Sequence, residues 1–139
     1  MAEEFNISDW GVTEEKVTEL LRRIIAVAAP LQLIAFGSRA HGNHSAESDL
    51  DLALILDQPQ PMLAGQLYAM AARGLRMEVD LIVVAQEHFD LHRPWMSSVY
   101  NEIEREGIVL YDREHPESAN PDTFYAGFRG RVCSHTSAA

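Results

Sequence analysis

The chain has 139 residues, 47% of them hydrophobic, with a formal charge of −10. That supports one globular domain with its own core, and no apolar run approaches the length of a bilayer span. So acidic a surface repels phosphate backbones, which excludes non-specific nucleic-acid binding.

The start, Met1-Ala2-Glu3-Glu4, lacks the basic head and apolar centre of a secretory signal, so a cytoplasmic location is expected. A lone cysteine, Cys133, cannot form an internal disulfide and agrees with a reducing compartment. Ten of the eleven basic residues are arginine; Lys16 is the single lysine.

Residues 1–12 carry Phe5, Ile7 and Trp10 and read as an arm packed on the domain. A helix is expected from Thr13 to Ala28. Thr13 is the N-cap, Val12 and Val17 are placed for a hydrophobic staple, and Val17, Leu20, Leu21, Ile24 and Val27 form the apolar stripe. Leu31 to Phe36 reads as a buried strand, and a polar connection runs from Gly37 to Ser48. Leu50 to Leu56 is a second strand with its leucines on one face. After a turn, Met62 to Leu75 reads as a helix and Met77 to Val84 as a third strand. A short helix is expected over Gln86 to Leu91, another from Trp95 to Glu106 closed by Gly107, and a last strand over Ile108 to Tyr111. The order α-β-β-α-β-α with a closing strand predicts an α/β (α+β) domain: a mixed sheet with helices covering one face. Residues 1–111 form this domain, and 112–139 read as a loose tail whose aromatics, Phe124, Tyr125 and Phe128, dock on the domain or on a partner.

The chemistry gathers on two strands. Asp49 and Asp51 are two apart, so on a strand they point the same way, while Leu50 and Leu52 point into the core. Alone, Asp-x-Asp is more often an ordinary solvated strand. Gly37-Ser38 ends the preceding strand, and such a turn can bring N–H groups and a hydroxyl to phosphate oxygens. Asp80 interrupts the apolar run Val79-Asp80-Leu81-Ile82-Val83, on the face opposite Val79 and Leu81. If the two strands are neighbours, three carboxylates converge beside a phosphate-binding turn, where a divalent cation would relieve their repulsion. His88 and His92, four apart, read as a surface pair in the absence of a third ligand. Glu78, His44 and Glu47 read as solvated.

The stretch Phe36-Gly37-Ser38-Arg39-Ala40-His41-Gly42 followed by Ser48-Asp49-Leu50-Asp51-Leu52 resembles the signature of the minimal nucleotidyltransferases of the polymerase-β superfamily. The resemblance covers Leu31 to Tyr111. It implies a polymerase-β-like core in which Gly37 and Ser38 hold the triphosphate of ATP. Asp49, Asp51 and Asp80 ligate magnesium, as two ions, and Asp80 also takes the proton of the acceptor hydroxyl. Arg39 either aids the phosphates or faces solvent; His41, which meets a phosphate when protonated, stands where the family often has arginine. The resemblance further implies transfer of AMP from ATP to a protein hydroxyl, by the antitoxin of a pair whose partner is a HEPN-type ribonuclease toxin. Alternatives are a nucleotidyltransferase acting on a small molecule such as an aminoglycoside, whose known members add a helical domain, and a non-catalytic domain that only binds the toxin. A homodimer joined through the tail aromatics is the alternative to partner docking.

Overall fold

The computed structural model describes residues 11–37, 50–71 and 73–126. Helix α1 spans Glu14–Ala28 and starts where expected: Thr13 Oγ1 accepts the Lys16 backbone N–H at 3.2 Å. Val17, Leu20, Leu21 and Ile24 are buried, whereas Val27 is exposed and drops out of the stripe. Arg22 and Arg23 turn back to clasp Glu19, and Arg23 also donates to the carbonyls of Ala71 and Arg73.

Strands β1 (Gln32–Phe36), β2 (Leu50–Leu56), β3 (Val79–Ala85) and β4 (Ile108–Asp112) form one sheet in the order β3-β2-β1-β4. β1 runs antiparallel to both β2 and β4; β2 and β3 are parallel. The parallel pair needs a crossover, supplied by α2 (Leu63–Met70). This helix ends well before the expected Leu75. The carbonyls of Ala71 and Arg73 are taken by the Arg23 guanidinium, and Gly74 and Arg76 adopt positive φ, which turns the chain back towards β3. Met77 is buried but precedes the strand.

Helix α3 (Gln86–His92) follows β3 directly, and α4 (Val99–Glu106) precedes β4. The expected start of α4 at Trp95 moves to Val99, because Ser98 caps the helix by accepting the Asn101 N–H at 3.1 Å. Trp95 and Met96 lie instead on an exposed turn. Helix α4 closes at Gly107, where a Cβ would overlap the Ile103 carbonyl and press on Ile34.

The mixed sheet of one small domain is as the sequence implied, with α1 and α2 covering one face. Leu50, Leu52, Leu54 and Leu56 point to that face and pack with Leu20, Ile24, Leu63 and Leu67. The opposite face carries cover as well. There Ile34, Phe36, Ala53, Ile55 and Val84 pack against Phe89 of α3 and Ile103 of α4. β2 is apolar on both faces beyond Asp51, so both faces need shielding.

The segment after β4 is not loose as far as it is described. A 3-10 turn over Pro116–Ser118 leads to a helical turn over 121–126. Phe124 is 1% exposed and joins the main core with Tyr125, so these two aromatics dock on the domain itself; Phe128 lies outside the described residues. Among the described residues, no helix is long and apolar enough to cross a membrane.

Candidate active site

The strand register fixes the geometry. Asp51 on β2 stands opposite Asp80 on β3 in the parallel pair, and opposite Phe36 on β1 in the antiparallel pair. Residues paired this way point to the same side of a sheet, so the two carboxylates stand side by side on strands about 4.8 Å apart. They share the face of Ala53, Ile55 and Ile82, at the end that α3 does not reach, because α3 leaves the far end of β3. Asp80 is exposed and Asp51 half-buried.

Gly37 directly follows Phe36, so it lies next to Asp51. Its φ is 79°, and a Cβ there would overlap the Asp51 carboxylate. The absence of a side chain therefore leaves a cradle in which backbone and carboxylate meet. Two adjacent acids beside such a cradle suit a divalent cation carrying phosphate oxygens: hard oxygen donors for the ion, and close backbone approach for the anion.

Among the described residues β3 is an edge strand, and on its side away from β2 the amide of Leu81, next to Asp80, donates to the phenol oxygen of Tyr68 at 2.8 Å. Tyr68 comes from α2 and gives no signal in the sequence, since it sits outside the apolar stripe beside Leu67. It shields an edge amide that would otherwise pair with another strand.

Of the residues expected at the site, Gly37, Asp51 and Asp80 are brought together. Ser38, Arg39, His41 and Asp49 lie outside the described residues, as do His44 and Glu47. Among the described residues, no three His, Cys, Asp or Glu side chains gather as a metal group. Glu78 is exposed ahead of β3, and its carbonyl accepts the Leu50 N–H at 2.9 Å. His88 and His92 lie on α3, with ring centroids 4.2 Å apart and Tyr100 against them, away from the carboxylate pair.

A family model described as "Polymerase beta, Nucleotidyltransferase" matches residues 15–116. No curated protein matches the chain. Solved structures with the same fold include a Sulfolobus solfataricus protein assigned as a nucleotidyltransferase, with 21% identity, 73% of this chain and 82% of that one covered, and a TM-score of 0.50. A toxin–antitoxin structure with AMP-PNP covers 91% of both chains at 22% identity, with a TM-score of 0.51. A mutant of the toxin–antitoxin MntA-HpeT, with two aspartates replaced by glutamate, does so at 19% identity and a TM-score of 0.50.

Proposed function

The chain belongs to the polymerase beta-type nucleotidyltransferases, and from that premise we propose that it transfers AMP from ATP to a hydroxyl of a partner protein. The observation that carries this reading is the register of Asp51 with Asp80 beside the side-chain-free Gly37. Asp49, two residues before Asp51, supplies the third carboxylate.

In this reading Asp49, Asp51 and Asp80 hold magnesium, as two ions. Bound there, the metal neutralises the triphosphate and the charge that develops on the leaving pyrophosphate. Gly37 and Ser38 seat phosphate oxygens with backbone N–H groups and a hydroxyl, and Arg39 and His41 add donors beside them. Asp80, on β3, takes the proton of the incoming hydroxyl. The acceptor oxygen bonds to the α-phosphorus, the bond from that phosphorus to pyrophosphate breaks, and pyrophosphate leaves. Nothing in this chemistry needs a covalent enzyme intermediate; positioning and charge stabilisation suffice.

The fold likeness to toxin–antitoxin structures, one of them with AMP-PNP, supports an antitoxin that acts on a toxin partner; that the toxin is of the HEPN ribonuclease type and the site of action the cytoplasm rests on the sequence alone. The formal net charge of −10 favours a basic partner of that kind. The test is incubation with α-labelled ATP and magnesium, adding either the product of the adjacent gene or a panel of aminoglycosides. Label on the partner protein is the expected result. Label on the drug alone would move the acceptor to a small molecule, and no label on any acceptor would defeat the reading.

A further inference from the structure

Lys16 is the only lysine in the sequence, and it is 3% exposed. A buried ammonium must have its three protons met by acceptors. Its Nζ donates to the carbonyl of Gly11 at 2.9 Å and to the carbonyl of Arg76 at 3.1 Å. The Gly11 N–H donates to the same Arg76 carbonyl at 2.9 Å. The first turn of α1, the segment before it and the turn ahead of β3 are thereby tied at one point.

That point is the root of the carboxylate pair. Arg76 has φ 56°, a left-handed conformation that a non-glycine residue keeps only when its surroundings hold it there. Two residues on, the Glu78 carbonyl accepts the Leu50 N–H at 2.9 Å, and the next residues on the two strands lead to Asp80 and Asp51. A slip at Arg76 would carry Glu78 away from Leu50 and shift Asp80 against Asp51. A one-residue slip would turn Asp80 to the opposite face.

We propose that Lys16 is a positioning residue: its ammonium fixes the Arg76 turn, and through that turn the register in which Asp51 and Asp80 present their carboxylates. The proposal rests on the reading of these acids as a metal–ATP site. A compact ammonium carries three donors on one atom, and two of them meet the converging carbonyls of Gly11 and Arg76.

The test compares Lys16→Met with wild type and with Ile24→Val, a core change in the same helix that leaves the latch intact. Two readouts are taken well below the melting temperatures: calorimetric binding of manganese–ATP, and hydrogen exchange of the Leu50 amide. Lys16→Met should weaken manganese–ATP binding by about tenfold or more, as loss of a supporting contact to a metal site does. It should also speed Leu50 exchange, with Ile24→Val at wild-type values in both. Binding and exchange in Lys16→Met equal to those of Ile24→Val would overturn the proposal. Should Lys16→Met not fold, Gly11→Ala, which strains the other side of the latch, enters the same comparison with the same expected results. If wild type itself fails to bind manganese–ATP, the nucleotidyl-transfer reading falls. Leu50 exchange then decides the latch alone: faster exchange upholds it and unchanged exchange removes it.

Discussion

Gly37 vacates the space that the Asp51 carboxylate occupies. A Cβ on Gly37 would overlap one carboxylate oxygen and stand 3.1 Å from Cγ, and the φ of 79° independently disfavours any side chain. The end of β1 and the start of β2 are thus fitted to each other at the point where phosphate and metal would meet. Steric space and backbone conformation demand glycine there for separate reasons.

Gly37→Ala should therefore damage the site more than the fold. A left-handed alanine costs roughly 1–2 kcal/mol, and the added methyl must push Asp51 aside. Thermal melting should show a modest loss, while calorimetry with magnesium–ATP should show binding abolished. Wild-type affinity in this variant would mean that the cradle is not used.

Asp51→Asn combined with Asp80→Asn should abolish transfer and leave the melting temperature unchanged or raised. The two like charges stand on adjacent strands in register, so neutralising them removes repulsion in the metal-free protein. Pyrophosphate release reports the first effect and a melting curve the second. A large drop in melting temperature would reassign the acids to structure.

Phe124→Ala should cost about 3–5 kcal/mol, the range for emptying a buried aromatic site. The ring is 1% exposed in the main core, and its neighbour Tyr125 meets the Thr18 hydroxyl at 3.2 Å. Urea denaturation measures the loss. A change below about 1 kcal/mol would show that the segment after β4 contributes little, contrary to its burial.

Acid should weaken the fold in two places. Arg22, with Arg23, holds the Glu19 carboxyl down from its ordinary 4.5 to about 2. Burial pushes the Asp112 carboxyl up. The amides of His115 and Glu114, the Gln32 amide and the Ser118 hydroxyl together outweigh it and hold that carboxyl below its usual range. Both groups bind protons more weakly when folded. Their stabilisation is complete above the ordinary carboxylate range and is lost as pH falls through the folded values, which for Glu19 spans pH 4.5 to about 2. Denaturation midpoints measured across that window should fall less steeply in Glu19→Gln than in wild type. Parallel profiles would remove Glu19 from the acid response.

The local pattern of the chain decided the elements and the chemistry they carry. Thr13 caps α1, the leucines of β2 face one core, and Asp80 breaks an apolar strand; each follows from neighbours within a few residues, where periodicity and capping act. The same locality explains the errors. The stop of α2 at Met70 depends on Arg23, nearly fifty residues earlier in the chain, reaching the carbonyls of Ala71 and Arg73. The cover on the second face depends on where α3 and α4 return. For Phe124 and Tyr125 the sequence left docking on the domain and docking on a partner both open, because nothing in their spacing reveals that the core has room for them; their burial decides for the domain. The sequence placed Asp51 and Asp80 each on a strand, but that they are neighbours was a condition only the sheet could meet. The parallel register of β2 with β3, anchored by Leu50 on Glu78 and by Lys16 on Arg76, is a long-range hydrogen-bonding outcome. Period-two alternation tells which face a side chain takes; strand order and register, set by packing and by backbone bonds between distant residues, tell which side chains meet.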